Sequence, residues 1–370
     1  MIVNETKTKI MVFGTTVGHQ FMYNDKQLEI VDQYKYLGVL FNTINRVNGN
    51  VFKNAQAHIC IQAKKAMFKI LKDTRKIGML SPNVALKLFD SLVLPIMEYG
   101  NEVWFSNKEI GDLEKVHLKY LKIILGVNKS TCNLAVRGEL ARYPLIIRQK
   151  VQCIKYWSRI LTSIDGSLVK CVYNILLDLH NGGFKNWVTN VHNILLDVGF
   201  TEEWNNQLCN KMSIVHLKKC LMNKYRSSWE NDVKNIVANP KMRTYCEFKL
   251  TFSYESYLTH VRDFKLRKSL VQFRTSSHQL EIEKGRHSNI PSNLRACKVC
   301  NTGEVEDEHH LLMCCHKYND IRFEFLCIRE NIGLFHHNFC SILSCEKSSF
   351  YLAKCIDKMF NRRKEILKLL

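Results

Sequence analysis

Hydrophobic periodicity changes once along this chain, and the change constrains what it can fold into. Up to residue 41 the apolar runs are short or alternating: KTKIMVF (7–13), QFMY (20–23), QLEIV (27–31) and YKYLGVLF (34–41). Asn24-Asp25 supplies a turn between two of them. Period-two runs bounded by turn residues predict short β-strands, here a small antiparallel sheet. After an Asn/Gly-rich break at 45–50, apolar residues recur every three or four positions, at Ala55, Ile59, Ala63, Ala66, Phe68 and Ile70. That is the period of an amphipathic helix. Gly78 suits the end of this helix, and Ser81-Pro82 suits an N-cap and first turn for the next, running to about Tyr99. Helical periodicity continues over 110–125, 144–161, 168–179, 203–224, 226–238, 254–273 and 350–370. One pattern, VxNILLD, occurs at Val172–Asp178 and again at Val191–Asp197. Two copies are too few for a solenoid and predict two similar amphipathic helices. The fold class expected is mainly α with a small N-terminal antiparallel β element, an α+β arrangement.

Composition narrows the partners. The 370 residues are 46% hydrophobic and 24% charged, with only 5 Pro and 16 Gly, which excludes a mainly disordered or collagen-like chain. No apolar run reaches the ~18 residues that cross a bilayer, so no membrane is expected. The first residues lack the apolar centre of a secretory signal, so an intracellular protein of nucleus or cytoplasm is expected. Fifty-four Lys and Arg against 34 Asp and Glu give a net charge of +20, a field that attracts polyanions, nucleic acid above all. The 15 cysteines, without a secretory signal, are expected to be reduced thiols, with a few acting as metal ligands.

Those few are concentrated in one segment. Cys297 and Cys300 are followed by a turn, Asn301-Thr302-Gly303, and then by His309, His310, Cys314 and Cys315. Two thiolates with two residues between them can hold one cation from a tight turn, and a His and a Cys five positions apart can close a tetrahedron. The spacing admits either His309 with Cys314 or His310 with Cys315. A closed four-ligand site implies structural zinc. Glu306, Asp307 and Glu308 are consecutive, so they do not converge on one ion, and a solvated acidic turn is expected. There is no Asp-Asp pair, phosphate-binding loop, dinucleotide fingerprint or nucleophile elbow, and therefore no complete active site. Basic side chains interleave with apolar ones at Lys64, Lys65, Lys69, Lys72, Arg75 and Lys76, and again at Lys115, Lys119 and Lys122. Such stripes neutralise phosphates without reading sequence. Five tryptophans could stack on bases but are expected in the core.

Several of these strings, in this order, resemble the back half of reverse transcriptases of non-LTR (LINE-type) retrotransposons. KTKIMVF resembles the segment after the catalytic aspartates, and YKYLGVLF the hairpin that places the primer end. LFDSLVLPIMEYGNEVWF (88–105), LEKVHLKYLKIILGV (113–127) and RGELARYPLIIRQKVQCIKYWSRIL (137–161) resemble the thumb and the helical region beyond it. The acidic triplet, the Cys/His set and Tyr318 resemble the carboxy-terminal zinc knuckle. The resemblance implies residual palm and primer-grip hairpins at 1–45 and a thumb-like helical bundle at 46–165. A helical linker at 166–275, a small zinc knuckle at 276–330 and a helical tail at 331–370 would follow. It adds Lys7, Lys9 and Lys35 to the nucleic-acid-binding candidates, and RNA, RNA–DNA hybrid or DNA as partners. It also carries the metal ligands over to Cys297, Cys300, His310 and Cys315. The paired aspartates of the family would lie before Met1, so the chain alone is expected to be a catalytically inactive fragment. Magnesium would belong only to a full-length enzyme. The competing expectation is a host-retained zinc-containing adaptor that binds a protein partner.

Overall fold

The computed structural model describes residues 4, 7–13, 20–43, 52–76, 80–104 and 111–369, with the side chains of Lys53 and Arg75 outside the description. The break at 45–50 and Gly78 lie outside the described residues. Six short strands come first: β1 (Lys9–Ile10), β2 (Met22–Tyr23), β3 (Lys26–Gln27), β4 (Glu29–Ile30), β5 (Gln33–Tyr36) and β6 (Val39–Asn42). The main helices are α1 (Lys53–Lys76), α2 (Pro82–Leu92), α3 (Gly111–Leu125), α4 (Asn133–Leu140), α5 (Leu145–Leu161) and α6 (Leu168–Asn181). They continue as α7 (Trp187–Leu196), α8 (Lys211–Lys234), α9 (Phe264–Arg274), α10 (Glu281–His287), α11 (Asn319–Asn331) and α12 (Ser349–Leu369). The chain is therefore mainly α with small N-terminal strand pairs. None of the described helices is long and apolar enough to cross a membrane.

The chain divides into two compact units. One comprises Met1–Leu71, Phe89–Val116 and Leu145–Lys218; the other comprises Lys72–Leu88, His117–Pro144 and Lys219–Leu370.

In the first unit, β2 and β3 form an antiparallel hairpin turned by Asn24 and Asp25, both at positive φ (48° and 59°). β5 and β6 form a second hairpin, in register from Gln33↔Asn42 to Tyr36↔Val39. Its turn needs Gly38, which sits at φ +84° with the Tyr99 ring 3.4 Å from where a Cβ would stand. β1 and β4 add a parallel pair, Lys9↔Glu29 and Ile10↔Ile30, which the antiparallel expectation does not include. The VxNILLD copies lie on α6 and α7, and only the second is buried. Val191, Ile194 and Leu195 are in the core, while Val172 and Ile175 of the first copy are 46% and 59% exposed. Burying each of the former is worth about 1.5–3 kcal/mol.

In the second unit, α12 packs on α9 and α11. A buried ionic network fixes α4 to α9: the Arg274 guanidinium donates to Glu139 at 3.1 Å and to Glu255 at 2.6 Å, and lies 4.5 Å from the Phe248 ring centre. The Tyr257 hydroxyl donates to Glu139 as well. Desolvating such charges is tolerable only because every one is paired. Two helical expectations differ from the structure. No breaker separates 203–224 from 226–238, and α8 runs through that point. The expected helix over 254–273 is interrupted because Asp263 caps α9, accepting from Leu266 N at 2.9 Å.

Of the five tryptophans, Trp104, Trp157 and Trp229 are in the core as expected, whereas Trp187 and Trp204 are half-buried. Trp157 and Trp229 are essentially fully buried, and the Trp229 indole N–H donates to the Leu134 carbonyl at 2.9 Å. Gly138 on α4 is needed beneath that ring: a Cβ there would lie 2.5 Å from Trp229 Cζ2 and 2.5 Å from the Tyr245 hydroxyl. Gly138→Ala should lower stability by about 1–3 kcal/mol through overpacking, despite alanine's better helix propensity. Urea unfolding measures this, and an unchanged midpoint would refute the close approach.

Candidate metal centre

A narrow hairpin carries the first two ligands. Cys297 N donates to Glu304 O at 2.8 Å, Glu306 N to Arg295 O at 2.9 Å, and Ala296 bridges Val305 antiparallel. Asn301 and Gly303 turn the chain at φ 54° and 80°. Asp307 then caps the next turn, its carboxylate accepting from His310 N at 2.7 Å. That turn, His310–Cys314, is a π-helix closed by Cys315 N donating to His310 O at 2.8 Å. A π-turn puts residues five apart on one side, which is what a His-x4-Cys spacing needs if both side chains are to face one ion.

Both His/Cys pairs obey that spacing, and the turn separates them. His310 and Cys315 face the hairpin; with Cys297 and Cys300 their ligand atoms all lie within 4.8 Å of one another, and all four residues are buried. A tetrahedron built on metal–sulfur bonds of about 2.3 Å has edges of about 3.8 Å, so the set fits one ion with little movement. His309 and Cys314 form the outward pair, exposed, with Cys314 Sγ 3.5 Å from His309 Nδ1.

The surroundings orient the ligands. His310 Nε2 lies 3.4 Å from Cys300 Sγ, and its Nδ1 lies 2.8 Å from the Glu304 carboxylate. A carboxylate on the far nitrogen fixes the tautomer and leaves Nε2 to coordinate. Burial works against ionising Cys300. Hydrogen bonds from the Thr302 hydroxyl and backbone, Cys297 and His310 outweigh it and bring the thiol down to about 7. Burial pushes Cys315 up to about 11 and raises Cys297 too. Three thiols and one imidazole in a closed, buried set can hold a metal ion and leave no position for a reacting water.

The acidic triplet corrects an expectation. It is not a solvated turn: Glu306 and Glu308 are both 0% exposed. Glu306 accepts from Arg363 of α12 at 2.6 Å through both oxygens, and Cys297 Sγ lies 3.8 Å away. Glu308 accepts from Arg243 at 2.8 Å through both oxygens, from Ser276 at 2.8 Å and from Thr244 at 3.0 Å. His278 Nε2 lies 2.8 Å from it. Burial alone would raise the Glu308 proton affinity, but His278 and Arg243 hold it well below the ordinary carboxylate range. Glu306 and Glu308 thus tie the metal-binding segment to Arg363 of α12 and to Arg243, Thr244, Ser276 and His278 of the same unit. Sequence reasoning misses Glu304, Glu306, Glu308, Arg243, His278 and Arg363 as supports of the site, because most of their partners are distant along the chain.

The basic candidates are distributed over both units. Lys64, Lys65, Lys69, Lys72 and Lys76 are exposed along α1, and Arg75's side chain lies outside the description. Lys7, Lys35 and Lys119 are exposed. Lys9 pairs with Glu29 and Lys115 with Asp112 at 2.8 Å, so both charges are partly neutralised. Lys122 is half-buried, its Nζ donating to the Lys129 carbonyl at 2.8 Å.

No protein-family model matches the chain. No solved structure matches it either. A Caenorhabditis elegans protein described as uncharacterized and transposon-derived is 29% identical over 102 residues, which is 27% of this chain. The match spans 34% of that protein's length.

Proposed function

We propose that this chain is part of a non-LTR retrotransposon reverse transcriptase. Its role is to bind nucleic acid through basic helices and a structural zinc knuckle, without itself carrying the polymerase aspartates. The observation that carries the reading is the closed Cys297–Cys300–His310–Cys315 set, in the register the family resemblance implies. Similarity to a transposon-derived protein and the net charge of +20 support it. Bound there, zinc would supply folding energy to the knuckle rather than reaction chemistry.

The adaptor reading has one observation in its favour. α6 exposes an apolar stripe, with Leu168 81%, Val172 46%, Ile175 59% and Leu179 43% accessible, a pattern that suits a protein partner. Gel filtration of the full chain purified from cells, before and after nuclease, separates the two. The retroelement reading predicts co-purifying nucleic acid and a smaller species after digestion. A nucleic-acid-free complex unchanged by nuclease would overturn it in favour of the adaptor.

A further inference from the structure

The second unit carries a groove that no sequence motif marks. It consists of two adjoining cavities of about 130 and 40 Å³, which share Asn128, Ser277, His278 and Gln279 as lining residues. Its floor is rigid. Asn128 N donates to Ser277 Oγ at 3.0 Å, and Thr131 Oγ1 donates to the same oxygen at 2.8 Å. Ser276, next in line, is held at φ 50° with its hydroxyl on Glu308.

The charges around this floor are unusual. Lys241 Nζ donates to the Ser130 carbonyl at 3.0 Å, and Lys122 Nζ to the adjacent Lys129 carbonyl at 2.8 Å. Two ammonium groups are thereby gathered on one turn, and Lys241's charge adds to burial in lowering the proton affinity of Lys122. Among the described residues neither is paired with a carboxylate. Lys364 and Lys284 line the same groove, Lys284 with its Nζ 3.9 Å from the Glu281 carboxylate. Its one acidic lining residue, Glu283, is already engaged by Arg243 at 2.7 Å and by Arg286 at 3.1 Å. Like charges drawn together without counter-ions cost free energy unless a polyanion relieves them. The floor also offers acceptors. Gln272 and Asn128 use their amide N–H groups on the Gly126 and Ser277 carbonyls, which leaves their oxygens to accept.

We propose that this groove binds single-stranded RNA, with Lys241 and Lys364 on phosphates, Lys122 adding its charge from beside the groove, and the Asn128 and Gln272 oxygens on donors of the sugar or base. The inference rests on the nucleic-acid reading above and gives it a location. The cavities are too small for a duplex, and free acceptors suit the 2′-hydroxyl, a donor that DNA lacks.

Fluorescence anisotropy of the zinc-loaded full chain with a uridine oligonucleotide tests it, with deoxyuridine in a parallel arm. For wild type, tighter binding of RNA than of DNA is expected. In the double variant Lys241→Gln, Lys364→Gln, the slope of log affinity against log salt should fall by about 1.4, about 0.7 for each phosphate no longer neutralised. Lys185→Gln, on an exposed lysine of the other unit, should leave the slope unchanged. If wild type binds RNA and the double variant has the same slope, the groove is wrong while the nucleic-acid reading stands. Equal affinity for RNA and DNA would overturn the commitment to RNA. If wild type binds neither, the broader reading fails with it.

Discussion

His310→Ala is expected to abolish metal binding by the full chain, whereas His309→Ala should leave it intact. The same asymmetry should separate Cys315→Ser from Cys314→Ser. The reason is the π-turn: residues five apart share a side, so one His/Cys pair faces the buried thiols and its neighbour faces solvent. Structural zinc binding in small domains is worth about 10–16 kcal/mol and is inseparable from folding. Loss of one ligand should therefore cost most of the metal affinity and release the 295–315 segment to proteolysis. Zinc per chain by mass spectrometry, with limited proteolysis alongside, reads both. Loss of metal in His309→Ala and its retention in His310→Ala would show that the opposite face of the turn binds.

Breaking the Glu308 clamp should produce the largest loss of stability away from the metal ligands. Glu308→Gln removes the fully buried carboxylate that Arg243 and His278 share, leaving Arg243 its contact with Glu283. Removing one member of a buried ion pair costs about 3–5 kcal/mol. The pH dependence has a definite sign. Glu308's proton affinity is depressed in the folded state from an ordinary value of 4.5, so its contribution is fully present above that pH. It is lost progressively as pH falls below it towards the much lower folded value. Urea unfolding at neutral pH and near pH 4 should show wild type losing stability on acidification more steeply than Glu308→Gln. Comparing the two removes the contribution of metal release, which both share. Equal slopes would mean that Glu308 does not carry the effect.

What is local is legible in the sequence. The two periodicities separate the strand pairs from the helices, Asn24-Asp25 lies at the predicted turn, and α2 begins at Pro82. Cys297-x2-Cys300 and the His-x4-Cys spacing point to a metal site, although spacing alone does not choose between two pairs with the same interval. That choice depends on how the π-turn is rotated against the hairpin, which is a tertiary property. Glu306 and Glu308 mislead for a related reason. Consecutive acids usually face water, and nothing local announces that Arg363, 57 positions on, and Arg243, 65 positions back, neutralise them. The VxNILLD copies make the same point for apolar residues. Period places the stripe on the helix, and only the neighbours decide that Val191 is buried while Val172 is exposed. Asp263, by contrast, is readable: an acid just before an apolar run is an ordinary helix start.

The +20 charge and the lysine-lined groove both support the proposed reading, in which basic side chains meet the phosphates of a nucleic acid. The affinity of the zinc-loaded full chain for RNA, measured from about 50 to 200 mM salt, tests that reading without intermediate steps. Several lysine–phosphate pairings predict a straight line of log affinity against log salt, falling by about 0.7 for each phosphate neutralised. An affinity that does not change over that range would contradict it.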